Sequence, residues 1–189
     1  MTELEQYLRT YTGIPDEDMK ALTSYFHLTT LEKGDFYVKE GRVCDKLSFQ
    51  RSGLVRVYAK HDGKDVTQWI SSKGYFITDL AGIICNEPSK FDIRALTYSE
   101  LYTISKKDYL ELPKLIPSWP ACERILITRC FSFIEKRLFA QLSMTAEEQY
   151  KHMLNISPEL FTQVPLKYLA SMMGMTPESL SRIRNKMAG

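Results

Sequence analysis

Apolar residues recur three and four positions apart over the first 27 residues, as Leu4 and Leu8 and then, beyond Gly13-Ile14-Pro15, as Met19, Leu22 and Phe26. That spacing keeps one face of a helix apolar and predicts two short helices, with Asp16 as the cap of the second. From Leu28 to about Ile104 the period changes. Short apolar runs are divided every eight to twelve residues by turn signals: Lys33-Gly34-Asp35, Glu40-Gly41-Arg42, Arg51-Ser52-Gly53, His61-Asp62-Gly63-Lys64, Ser72-Lys73-Gly74 and Asn86-Glu87-Pro88-Ser89. This rhythm predicts an antiparallel sandwich, roll or barrel. Leu54-Val55-Arg56-Val57-Tyr58-Ala59 reads as one of its strands, and Asp62-Gly63 as the hairpin that follows.

Ser105 to Leu112 predicts a short helix, after which Pro113, Pro117 and Pro120 punctuate the chain. A long helix then runs from about Ser118 to Ser143. Its apolar residues form two stripes: Ile127, Phe131, Ile134, Leu138 and Leu142 make one, and Trp119, Leu126, Cys130 and Phe133 the other. A helix apolar on two sides needs two partner surfaces. One stripe can lie on the sheet while the other meets a second copy of the chain. We assign Ile127, Phe131, Ile134 and Leu138 to a dimer interface, although the pattern alone leaves open which stripe serves.

The last segment is the most informative. Leu166, Leu169, Ala170 and Met173 stand at i, i+3, i+4 and i+7, the apolar face of a short helix. Gly174 ends it, because a sharp turn between helices calls for a positive φ. Thr176 is then placed to cap a new helix, Pro177 suits its first turn, and Glu178 favours the positive end of its dipole. In this second helix Leu180, Ile183 and Met187 face inward, which leaves Glu178, Ser181, Arg182 and Asn185 as a polar outer row. Two short helices with a glycine turn and such a row are the requirements of a helix-turn-helix entering a major groove.

Charge becomes informative only when it is divided along the chain. The 189 residues carry 25 Lys and Arg against 23 Asp and Glu, a net charge of +2. From Val164 onward, however, Lys167, Arg182, Arg184 and Lys186 face Glu178 alone, a local +3 that leaves the remainder at −1. The positive excess falls where a phosphate backbone would lie.

The remaining chemistry is mostly exclusion. The four cysteines, Cys44, Cys85, Cys122 and Cys130, form no CxxC and have no histidine partners at metal spacing, so buried free thiols are expected. His27, His61 and His152 are scattered, and no GxSxG, HExxH or P-loop occurs. Catalytic residues, metal ligands and cofactors are therefore expected to be absent. The acidic start Met1-Thr2-Glu3-Leu4-Glu5 is not signal-like, and no uncharged apolar run is long enough to span a bilayer, so a cytoplasmic protein without membrane contact is expected.

With these elements in order, the chain resembles the Crp/Fnr superfamily of transcription regulators. The likeness rests on Gly34 with Glu40-Gly41, Ser52-Gly53-Leu54-Val55-Arg56-Val57, Lys73-Gly74-Tyr75-Phe76-Ile77, Arg94-Ala95-Leu96-Thr97, Ile104-Ser105-Lys106 and Leu180-Ser181-Arg182-Ile183. Each is weak singly; the order makes them strong. The resemblance implies an α+β fold: N-terminal helices and a jelly-roll-like antiparallel β-roll over 1–117, a long dimerisation helix over 118–144, and a helix-turn-helix domain over 145–189. It also implies a homodimer on a pseudo-palindromic double-stranded DNA operator, with RNA polymerase as a further partner and a small-molecule effector that the sequence does not identify.

The departures from the family pattern concern the effector. Cyclic-AMP-binding members carry a Gly-Glu-Leu cassette where this chain has Thr78-Asp79-Leu80, and an Arg-Ser pair where it has Ser89-Lys90. Lysine offers a point charge in place of a bidentate guanidinium. The family's adenine-contacting hydroxyls fall at Ile134 and Glu135. An effector pocket would therefore be sought at Phe76, Asp79, Ser89, Lys90 and Glu135, with cyclic AMP not expected in it. At the DNA end, Pro177 replaces a common arginine, while Glu178 and Arg182 match. Arg182 is expected to reach a guanine and Glu178 a cytosine, with Lys167, Thr176, Ser179, Ser181, Asn185, Arg184 and Lys186 completing the contact surface, several of them on phosphates. The chain stops at Gly189, so wing strands after the second helix are not expected. Two other readings are a ligand-binding β-roll without specific DNA binding and, on the jelly-roll form alone, a cupin-like enzyme.

Overall fold

The computed structural model describes residues 1–188. Helix α1 (Glu3–Thr12) opens on a capping box in which Thr2 and Glu5 satisfy each other's backbone N–H. Helix α2 (Asp16–Thr23) follows the left-handed Gly13. Asp16 is not its cap, contrary to the sequence reading: Pro15 holds that position without a side-chain bond, and the Asp16 carboxylate instead takes Arg9 of α1.

Eight strands then form the roll: β1 (His27–Leu31), β2 (Phe36–Val38), β3 (Lys46–Ser52), β4 (Val55–His61), β5 (Lys64–Ser71), β6 (Phe76–Ile77), β7 (Asp92–Ala95) and β8 (Ser99–Ser105). Their order is β1-β8-β3-β6 in one sheet and β2-β7-β4-β5 in the other. The β4–β5 turn has positive φ at both Asp62 and Gly63, the conformation that a two-residue hairpin demands. A short helix α3 (Leu80–Cys85), which the period reading did not predict, interrupts the strands. The rest is helical: α4 (Lys106–Leu115), α5 (Trp119–Ser143), α6 (Ala146–Ile156), α7 (Pro158–Gln163), α8 (Leu166–Met172) and α9 (Pro177–Ala188). Pro113 does not end α4, which runs on to Leu115. Pro120 lies in the first turn of α5, where its missing N–H costs nothing.

The described residues fall into two compact units, Met1–Val57 with Ser71–Phe131, and Tyr58–Ile70 with the chain from Ser132 onward. In the first, strand alternation sorts β8 between two cores, with Ile104 in one and Leu101 in the other. Leu47 and Phe49 join Leu8, Leu22, Ile104, Leu112, Trp119 and Leu126 in a core that includes α1, α2, α4 and the start of α5. A second core is built on Tyr37, Val55, Ile77, Ile93 and Leu101. Polar side chains enter the buried layer as a connected chain. Thr29 and Thr103 hydroxyls lie 2.6 Å apart, Thr103 and Ser48 2.8 Å, and Ser48 and Tyr37 3.0 Å. The Tyr37 phenol donates toward the carbonyls of Lys46 and Ile77. A tyrosine of one sheet thus ties down two strands of the other, and its burial holds the phenol far above its ordinary pKa.

The first half of α5 is fixed within this unit. Tyr109 donates to Glu123 at 2.6 Å, Ser118 donates to Asp18, and the Arg129 guanidinium donates to the Thr10 carbonyl. Cys44 and Cys122 are buried free thiols, and Cys130 is half-buried; Cys85 departs from expectation in being exposed. Among the described residues, no helix is long and apolar enough to cross a membrane.

Candidate nucleic-acid interface and effector region

The second unit carries the helical hairpin. Helix α8 buries Leu169, Ala170 and Met172, and α9 returns Leu180, which is fully buried. Leu160 of α7, Val164 and Tyr150 of α6 complete this small core. The turn is closed by the Met175 N–H on the Ala170 carbonyl at 3.0 Å and the Gly174 N–H on the Ser171 carbonyl at 3.1 Å. Gly174 has a φ of +68°, a region costly for any residue with a Cβ. Thr176 then caps α9, its hydroxyl accepting the Ser179 N–H at 3.2 Å. Ile183 is only half-buried and Met187 is exposed, so the inward face of α9 is narrower toward its end than the spacing implies.

The outer row of α9 is displayed as follows. Glu178, Arg182 and Asn185 are exposed, and Ser179 and Ser181 half-buried. Glu178 is held below the usual carboxylate range by its own backbone N–H first, then by the Thr176 hydroxyl and by Arg182. Arg182 reaches the Ser179 hydroxyl at 3.3 Å. Lys167 is exposed over the Tyr168 ring. Lys186 pairs with Glu147 of α6 at 2.6 Å, a partner that sequence spacing does not reveal. Strand β5 of the β4–β5 hairpin also reaches α8: the Thr67 N–H donates to the Ser171 hydroxyl at 2.8 Å.

On α5 the two stripes differ. Trp119, Cys122 and Leu126 are buried. Ile127, Phe131, Ile134 and Leu138 keep 36, 61, 60 and 58% of their surface exposed, and Leu142 keeps 78%. Their spacing of four, three, four and four residues is that of a coiled-coil seam with one step lengthened.

The residues sought as an effector pocket each have a local environment. Phe76 stands in the aromatic cluster of the helix-backed core, with ring centroids 6.1 Å from Tyr11 and 6.4 Å from Phe49. Asp79 caps α3, its carboxylate accepting the N–H groups of Ala81 at 3.1 Å and Gly82 at 3.5 Å. The amides that would greet an incoming phosphate already hold an anion of the chain. The other end of α3 is closed by Lys106, which donates to the Gly82 carbonyl at 2.6 Å and to Asn86 at 2.9 Å. A Cβ added at Gly82 would lie 2.7 Å from the backbone nitrogen of Cys44, so α3 packs directly on that segment. Ser89 is buried and spends its hydroxyl on the Phe91 backbone, accepting from the N–H at 3.2 Å and donating to the carbonyl at 2.9 Å. Lys90 and Glu135 are exposed.

Residues 28–114 match the cyclic nucleotide-binding domain family. No curated protein matches the chain at the level of sequence. Among solved structures, FixK2 from Bradyrhizobium japonicum is similar with a TM-score of 0.70 at 13% identity, over 86% of this chain and 84% of that one. CLP from Xanthomonas campestris, described as a c-di-GMP-responsive global regulator, is similar with a TM-score of 0.68 at 17% identity over 92% of both chains. The catabolite activator protein of Thermus thermophilus is similar with a TM-score of 0.59 at 20% identity, over 96% of this chain and 86% of that one. At these identities the likeness is one of fold. Residues 28–114, which hold most of the β-roll, thus match a cyclic nucleotide-binding domain, and the chain as a whole, with the long α5 and the helices that follow it, shares the fold of these Crp/Fnr-type regulators.

Proposed function

We propose that the chain is a homodimeric, non-catalytic transcription regulator that binds double-stranded DNA through residues 145–189 and receives its signal through residues 1–117, with 118–144 joining two copies. The observation that carries this reading is the row Glu178, Ser181, Arg182 and Asn185 on α9, directly after a glycine turn packed on Leu169, Ala170 and Leu180. A groove-entering helix has to be held from behind and polar in front, and α9 meets both needs. Arg182 reads a guanine and Glu178 a cytosine, while Lys167, Thr176, Ser179 and Asn185 contact backbone or neighbouring bases. Lys186 reaches phosphate only by leaving Glu147.

Dimerisation is part of the same reading, because a two-fold axis matches a pseudo-palindrome with half-sites about 34 Å apart. The exposed row Ile127, Phe131, Ile134 and Leu138 is the surface we assign to it. The β-roll works without cyclic AMP: the Asp79 carboxylate sits on the first amides of α3, Ser89-Lys90 offers no guanidinium fork, and the Tyr37 phenol occupies the interior between strands. Any effector contact by Phe76, Asp79, Ser89, Lys90 or Glu135 then requires these partners to be exchanged.

Selection from random duplexes with the purified chain tests the proposal. Enrichment of a pseudo-palindrome at moderate salt is expected, with an affinity that falls steeply as salt rises. Absence of any enriched sequence overturns the regulator reading and favours a ligand-binding β-roll alone.

A further inference from the structure

The second unit contains a cavity that the reading above does not use. Its volume is about 390 Å³, within the range of roughly 300–1,000 Å³ usual for small-molecule sites. The walls are Trp69 of β5, Phe133 and Ala140 of α5, Met153 of α6, and Met172 and Met173 at the end of α8. Such a lining of aromatic and thioether side chains is apolar and adaptable. Its charged groups have one sign: Arg137 and Lys136 contribute, and no carboxylate is among the described lining residues.

Arg137 is the unusual member. It is half-buried, with its guanidinium 4.9 Å from the centre of the Trp69 ring, and its contact with the protein backbone is a long 3.5 Å bond to the Met172 carbonyl. No carboxylate among the described residues pairs with it. A guanidinium drawn out of water without a counter-ion is unfavourable, and burial accordingly lowers its pKa. With its carbon over the Trp69 ring and one long backbone bond, the guanidinium keeps N–H groups with which a planar carboxylate can be bound bidentately.

We propose that this cavity is a binding site for a small apolar monocarboxylate, with the tail among Trp69, Phe133 and the methionines and the carboxylate on Arg137. The site is separate from the Asp79 and Ser89 region, and it lies on a different face of α5 from the proposed dimer seam. At 3.6 residues per turn, the row Phe133, Arg137, Ala140 and Met144 is centred roughly 130° from the row Ile134, Leu138 and Leu142. Dimerisation through the second row leaves the first free. Because Arg137 also touches the Met172 carbonyl, two residues before Gly174, a bound carboxylate competes for the group that meets the end of α8.

Titration of the full chain with octanoate, 1-octanol and octylamine tests the assignment, read by calorimetry and by tryptophan emission. The chain has two tryptophans, Trp69 in the cavity wall and Trp119 buried in the other unit, so Trp69→Phe should remove the emission response. Octanoate should bind at least tenfold more tightly than the alcohol, and the amine more weakly still. Arg137→Gln should abolish the preference for the acid while leaving the alcohol unchanged, and Arg137→Lys should retain part of it. Ala140→Phe, which disturbs no hydrogen bond, should fill the cavity and block all three. Equal affinity for acid and alcohol, no octanoate binding, or octanoate binding that persists in Ala140→Phe overturns the proposal. These titrations contain no DNA, so their outcome is independent of whether the chain binds an operator.

Discussion

The dimer seam on α5 is the part of the proposed function whose energetics can be worked from the structure. Leu138 retains 58% of its surface exposed. Complete burial of a leucine side chain contributes about 1.5–3 kcal/mol, so covering what is left contributes about half of that, on the order of 1–1.5 kcal/mol per chain. An isologous interface uses every residue twice. Leu138→Ala should therefore weaken the dimer by about 2–3 kcal/mol, which is roughly 30- to 150-fold in the dissociation constant. Sedimentation equilibrium across a concentration series reads this directly. Phe133→Ala is the matched control on the same helix, because its ring stands edge-on to Trp69 at 5.0 Å within its own unit. It should lower the melting temperature and leave the dimer constant alone. A wild-type chain that stays monomeric at high micromolar concentration refutes the seam. So does a Leu138→Ala dimer as tight as the parent, or a Phe133→Ala variant that dissociates instead.

Further consequences follow from the same structure. Arg182→Ala should relax preference at one guanine by about 1–3 kcal/mol in competition binding, whereas a uniform loss across all sequences would make Arg182 a phosphate contact. Asp79→Ala removes the cap of α3 and should cost about 1 kcal/mol in denaturant unfolding; an unchanged midpoint would mean that the Lys106 end holds the helix alone. The phenols of Tyr7, Tyr37 and Tyr109 are raised by burial, as is Tyr11, whose pKa is pushed up to about 12. A folded-state pKa above the unfolded value of about 10 means stability that is complete below pH 10 and is lost as pH rises through the folded values. Tyrosinate absorbance should accordingly appear for the exposed tyrosines first and for these four only with unfolding, and early titration of all eleven tyrosines would contradict that burial.

The parts of the fold legible in the sequence are those specified locally. Gly174, Thr176 and the apolar spacing of Leu166, Leu169, Ala170 and Met173 define the helical hairpin within about twenty residues, and each does in the structure what its chemistry demands. Features settled by distant partners were not legible. Both stripes of α5 read as equally apolar, and only packing against α1, α2 and α4 selects Trp119, Cys122 and Leu126 for the core. Helix α3 is six residues long, too short for a period, although Asp79 ahead of an apolar run was a usable cap signal. The pairing of Lys186 with Glu147 and the stacking of Arg137 on Trp69 join residues far apart in sequence. The polar chain through Thr29, Thr103, Ser48 and Tyr37 likewise looks like ordinary strand hydroxyls until the strands are paired.

The placement of α8 bears on how a signal would reach α9, the helix proposed to enter DNA. Within the second unit, separate elements touch the end of α8 through polar groups. The hairpin gives the Thr67 N–H to the Ser171 hydroxyl, and α5 gives Arg137 to the Met172 carbonyl. Both contacts fall in the last turn before Gly174, where the chain leaves α8 for α9. A ligand moves an equilibrium only by its difference in affinity for two states, so the contacts that matter are those that a ligand can take away. The 3.5 Å bond of Arg137 to the Met172 carbonyl is the weaker of the two and has a cavity beside it, whereas the 2.8 Å bond from the Thr67 N–H to the Ser171 hydroxyl is a firm one. Loss of the Arg137 contact would leave the Thr67 bond and the buried side chains Leu169, Ala170 and Met172 to hold α8. A rotation of α8 would turn the row Glu178, Ser181, Arg182 and Asn185 with it, because Ala170 and Leu180 bury the contact between the two helices.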